Sequence, residues 1–273
     1  MHRKVEDKDR PTALSVVSTG TGIGIALAGL AALAMVLSGL PWRFCWAFFA
    51  AASGIALIGN CLAFRSVERD CSSGLKSAWS NLAQRAAIPL FVIGFAYGTG
   101  SAIYISFAAD YMVSAGGVAG LPVAATPALV YICYGLVGLS GLLTKRVKDR
   151  IGLPMLLRLL MLAGALSLAL VAIAPDTWSG LILSAALQGL HVMMTSAVLA
   201  FWSERLFPSL PSRSFTVALL AAAAGSVLGP ALAGVASDAF GAGAMFIGTA
   251  LLPAATAIML RDHDAQERPA NVE

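Results

Sequence analysis

Charge is what this sequence has least of. Only 12% of its 273 residues are Asp, Glu, Lys or Arg, against roughly 25% in an ordinary soluble domain. So few charges cannot cover the surface of a water-soluble chain of this size, which argues against a soluble enzyme, a nucleic-acid module and a disordered chain. The net charge of +4 carries no nucleic-acid argument either, because its basic residues lie between apolar runs rather than along one face. Four cysteines show no C-x-x-C spacing; Cys45, Cys61 and Cys133 lie in apolar runs and Cys71 does not. They read as small buried hydrophobes, with no disulfide framework and no metal site. Catalytic signatures are missing as well. There is no H-E-x-x-H, G-x-S-x-G or P-loop, and His2, His191 and His263 stand too far apart in the chain to cluster. The expectation is a protein that is not an enzyme and holds no cofactor.

Long charge-free runs are what the sequence has instead. They cover 13–40, 44–64, 86–109, 121–144, 154–174, 177–203, 214–237 and 239–260, the fifth interrupted only by Arg158. Each is near the roughly 20 residues that cross a bilayer core of about 30 Å as a helix. The first is too long for the apolar part of a signal peptide, about 7–15 residues. Membrane barrels would show alternating segments of about 10 residues instead. The fold class is therefore all-α, a polytopic membrane bundle of eight helices.

Lys and Arg orient the bundle. Sixteen of the eighteen fall on one side of the alternation, from Arg3 to Arg10, Arg65 to Arg85, Lys145 to Arg150, at Arg205 and Arg213, and at Arg261 and Arg268. Arg43 alone lies on the other side, and Arg158 sits one turn inside the fifth helix. By the positive-inside rule both termini face the cytoplasm, and one missed helix would scramble the pattern. The chain divides into a cytoplasmic tail (1–12), two spans (13–64), a cytoplasmic loop (65–85), six spans (86–260) and a second tail (261–273). Trp79 and Leu82 suggest a short interfacial helix in the central loop.

The loop after the fourth helix reads Gly135-Leu-Val-Gly138-Leu-Ser-Gly141-Leu-Leu-Thr-Lys145-Arg146-Val-Lys148-Asp149-Arg150-Ile-Gly152. It resembles the G-x-x-x-D-R-x-G loop of the major facilitator superfamily, with Lys145 in place of the leading glycine. Gly225 to Gly241, with Gly229-Pro230 inside, is similar to the penultimate helix of that superfamily. The run Gly20-Thr-Gly22-Ile-Gly24 to Gly29 resembles its glycine-rich fifth helix. Together with Pro41-Trp42-Arg43 it looks closest to the YbfB/YjiJ-like branch. The resemblance covers almost the whole chain and implies a transporter of the bacterial cytoplasmic membrane, its eight helices matching family helices five to twelve. The first four would then have no counterpart here. On that expectation one wall of the central cavity is missing, and transport needs a second copy or a separate chain. The other reading is an integral membrane protein that does not transport. The family's antiporters carry a Gly-Pro step on helix five; none follows Gly29, so export is not implied.

Candidate functional residues follow. Ser184, Gln188, His191, Thr195 and Trp202 repeat at helical spacing and share a face of the sixth helix. A mid-span histidine must face protein or water, and its ordinary pKa of about 6.5 suits proton coupling. His191 is thus a candidate for substrate and proton contact, alongside the plainer reading of a helix-packing hydrogen bond. Gln188 and Thr195 join it as candidates for substrate contact. Tyr97, Tyr104 and Tyr134 are further candidates, since the resemblance places their helices on the cavity; Tyr131 reads as part of an interfacial aromatic belt. Asp110, Asp176, Asp238 and Glu204 stand at span ends, so coupling runs through His191, lies outside these helices, or is absent. Asp149, Arg150 and Gly152 read either as a gating latch or as helix-terminal residues. Small-residue pairs at spacing four, Gly20/Gly24, Gly94/Gly98 and Gly225/Gly229, are expected to pack helices closely, and Pro230 to kink its helix. The tyrosine-rich, carboxylate-poor lining points to a neutral, aromatic or anionic small solute rather than a cation. The partners expected are lipid and that solute, with no nucleic acid.

Overall fold

The computed structural model describes residues 10–64, 88–206 and 211–261. Eight helices in it are long and apolar enough to cross a membrane. They are α1 (Arg10–Leu37), α2 (Trp42–Phe64), α3 (Ile88–Ser114), α4 (Val123–Ile151), α5 (Leu153–Ile173), α6 (Trp178–Leu206), α7 (Pro211–Phe240) and α8 (Ala242–Met259). Among the described residues there is no strand. The expected interfacial helix around Trp79 and Leu82, with Cys71, lies outside the described residues.

The helix ends follow local chemistry. The turn between α5 and its predecessor falls on Gly152, at φ +82°, and that between α7 and α8 on Gly241, at φ +86°. Both occupy the left-handed region that favours glycine. Here the expected boundary shifts. The charge of Asp238 was expected to end the seventh span, yet α7 runs on through it to Phe240. An exposed aspartate one turn from a helix end costs little, whereas only Gly241 supplies the backbone reversal. Likewise α4 continues past the last apolar residues through the basic segment Thr144–Ile151. A 3₁₀ stretch, Leu139–Leu143, tightens it on the way.

Packing is built on small residues. α3 lies along α7, α1 along α4, α5 along α8, and α6 touches α1, α3, α4, α5 and α7. Gly94 meets Ala218, Gly98 meets Ala222, and Gly225 meets Phe95 and Thr99, each through backbone atoms. Gly229 lies against Thr99 on the same face. The first helix departs from expectation. Gly20 and Gly24 face open space, and the contact face consists of Gly22, Ala26 and Gly29 against Gly135, Ile132 and Ala128. A glycine-rich helix offers several small faces, and the partner decides which one is used; here Gly135 comes to rest against Gly22 and Ala26. The cysteines depart from expectation too, because Cys61 is exposed and Cys45 and Cys133 are only partly buried. In a bilayer an exposed apolar thiol costs nothing, so burial is not required.

Two apolar cores are stacked along the bundle. One gathers Met112, Val171, Leu181 and Phe246 near the ends of α3, α5 and α8 opposite the basic loops. The other gathers Leu90, Leu157, Met161, Val198 and Trp202 near the basic side. Tyr97 packs against both. α2 stands apart, with no residue between Arg43 and Leu62 buried in the protein.

Candidate functional site

Level with the first core and the start of the second, α6 carries its polar stripe into the interior. Ser184 and Thr195 are fully covered, and Gln188 and His191 are each 1% exposed. Ser184 and His191 are met by neighbouring helices, whereas Gln188 and Thr195 hold buried polar atoms with no partner among the described residues. The Ser184 hydroxyl donates to the Leu181 carbonyl at 3.2 Å, so the Tyr104 hydroxyl on α3 donates to Ser184 at 3.3 Å. Ser167 on α5 donates to the Ser184 carbonyl at 2.7 Å. His191 Nδ1 lies 2.7 Å from the Leu160 carbonyl on α5. A carbonyl only accepts, so Nδ1 carries the proton and Nε2 is left as the acceptor. The imidazole fits because residue 164 is glycine: a Cβ there would lie 3.0 Å from Nε2. Gly164 and Ser167, one turn apart on α5, are thus site residues with no motif to announce them.

The tyrosines line the opposite wall. The Tyr97 ring stands 5.8 Å from that of His191, and the rings of Tyr104 and Tyr134 are 6.4 Å apart. Tyr104 and Tyr134 are buried, whereas Tyr97 is partly exposed. Tyr134 reaches the stripe because α4 and α6 touch where Gly189 meets the Tyr134 carbonyl. Tyr131, expected in an aromatic belt, donates to the Ile105 carbonyl at 3.2 Å. Ile105 lies in a π-helical turn, Tyr104–Ala108, that widens α3 just beyond the stripe. Such turns displace backbone carbonyls and recur at functional sites. That turn was not legible in the sequence.

No charge enters this layer. Asp110, Asp176 and Asp238 are all exposed, and no carboxylate or Lys/Arg is buried among the described residues. No cluster of metal ligands occurs among them. The layer is thus a set of neutral donors and acceptors held in hydrocarbon.

The loop residues form a separate cluster. Asp149 and Arg150 are exposed. Asp149 pairs with Lys148 at 3.5 Å, and Lys148 Nζ lies 5.3 Å from the centre of the Phe201 ring on α6. The Asp149–Lys148–Phe201 chain therefore ties the basic end of α4 to α6, and Gly152 turns the chain into α5. Arg158 donates from Nε and Nη2 to the Leu260 carbonyl at 3.1 and 2.8 Å, closing the C-terminal end of α8. Pro230 lies inside α7, which continues through it.

Comparison with protein-family models matches residues 2–260 to the family described as the uncharacterised MFS-type transporter YbfB. No curated protein matches the chain. The match spans nearly all the residues, and eight apolar helices with a polar layer at mid-depth fit it. The chain belongs to this YbfB-type branch of the major facilitator transporters.

Proposed function

We propose that the protein carries a small solute across the membrane by alternating access, with the solute held at the polar layer on α6. The observation that carries this reading is the burial of Gln188, His191 and Thr195 inside the bundle, on the α6 face that meets Tyr97 and Tyr104 of α3. Polar groups in hydrocarbon are costly and mark solute or ion pathways, and transporter sites sit near mid-depth. Tyr97, Tyr104, Tyr134, Gln188, His191 and Thr195 line the site in this reading. His191 takes up a coupling proton at Nε2, since Nδ1 is committed to Leu160.

The basic loops set the orientation. Lys145 to Arg150 face the cytoplasm with both termini, in a bacterial cytoplasmic membrane. Asp149, Arg150 and Gly152 act as the cytoplasmic latch: Asp149 holds Lys148 against α6, and releasing that contact lets α6 tilt relative to α4.

The test is flux in proteoliposomes under an imposed pH gradient, with a metabolite pool as the solute. Solute uptake above empty vesicles that loses its pH dependence in His191→Ala supports the reading. Uptake equal to empty vesicles leaves a membrane protein that does not transport.

A further inference from the structure

Around the polar layer Gln188, Thr195 and Ser101 hold polar atoms with no partner among the described residues, and Gln188 is the one that leaves a whole carboxamide unmet. Tyr97 meets His191, and Tyr104 meets Ser184. The partners are seven residues apart on both helices and run in opposite directions, so α3 and α6 are antiparallel and in step. Gln188, midway between Ser184 and His191, therefore lies level with Gly100 and Ser101. Its carboxamide is 1% exposed, and neither Oε1 nor Nε2 has a hydrogen-bond partner among the described residues. Ser101 Oγ, 8% exposed as a residue, is unpartnered too. Gly100 keeps α3 slim at that level: a Cβ there would meet only Leu168 Cδ1, at 3.7 Å.

We infer that Gln188 is the specificity-determining residue of the site, and that the solute is an uncharged planar molecule carrying a hydrogen-bond donor and acceptor side by side, such as an aromatic amide or a lactam-type heterocycle. This rests on the transport reading above and names its substrate class. A carboxamide offers one donor edge and one acceptor in a single plane, so its full complement is another amide-like edge. The rings of Tyr97 and His191 at one level, and of Tyr104 and Tyr134 at the next, favour a flat partner that stacks. While His191 is unprotonated the layer holds no buried countercharge among the described residues, so an ionised solute would enter hydrocarbon unpaired.

Benzamide, benzoate, benzamidinium and acetophenone separate these requirements, being near-isosteric and differing in charge and in the amide donor. Binding of each to the full chain in lipid nanodiscs is measured by calorimetry. Benzamide is expected to bind at least about tenfold more tightly than the other three. Gln188→Leu, similar in volume, should abolish that preference. Gly100→Val, which leaves Gln188 in place and thickens α3 at that level, should weaken benzamide by a similar factor. Equal binding of the charged analogues, benzamide affinity unchanged in Gln188→Leu, or no binding by any of the four overturns the assignment. Exchange of labelled benzamide across loaded vesicles is read in parallel. Binding without exchange overturns transport but leaves the assignment; uptake of another solute without benzamide binding does the reverse.

Discussion

At the residue scale, the decisive side chains are those whose environment forces a role on them. Gly98 is one: its α-carbon lies so close to the Ala222 backbone that a Cβ would overlap it. Gly98→Val should therefore push α3 from α7 and lower stability by about 1–3 kcal/mol, as overpacking does. A lowered thermal-aggregation midpoint in detergent checks this. Gly24→Val faces open space and should leave that midpoint unchanged. His191 and Gln188 were legible as candidates because helical spacing alone put them on one face. Gly164 and Ser167 were not, since a lone glycine and serine in an apolar helix look the same whether they face lipid or an imidazole.

At the element scale, helix ends and helix defects were only half legible. Runs with one charge at most located all eight spans, but charge marks where a helix meets the membrane surface, not where its backbone stops. Hence α7 passes Asp238 and breaks at Gly241. Arg158 shows the same limit, reading as a stray charge within α5 until the fold sets it against the open carbonyl of Leu260. Arg158→Gln removes the charge from that helix end and should cost about 1.5–3 kcal/mol, seen as earlier thermal unfolding and as faster proteolysis beyond Leu260. The π-helical turn in α3 makes a sharper prediction. Tyr131→Phe deletes the hydrogen bond to the Ile105 carbonyl; amide exchange across Tyr104–Ala108 should speed up, while exchange in the α6 stripe stays as in the unmodified protein.

At the scale of the whole molecule, the alternation of spans predicts one basic side and one nearly free of Lys and Arg. In a cysteine-free background, Ser38→Cys and Ser179→Cys should react with an impermeant maleimide in intact cells. Lys145→Cys should react only after permeabilisation; the opposite pattern would invert the proposed topology. Membrane residence, helix number and this charge asymmetry were determined by the sequence alone. They depend on sums over many residues, and a bilayer tests those sums one span at a time. Tertiary structure alone decided which glycines touch, that α1 uses Gly22 and Gly29 instead of Gly20 and Gly24, and that Gln188 stands unpartnered. Helices in a bilayer all share apolar surfaces, so hydrophobicity cannot choose among their faces. The choice falls to close fit and to a few hydrogen bonds, and these exist only once the partners are in place.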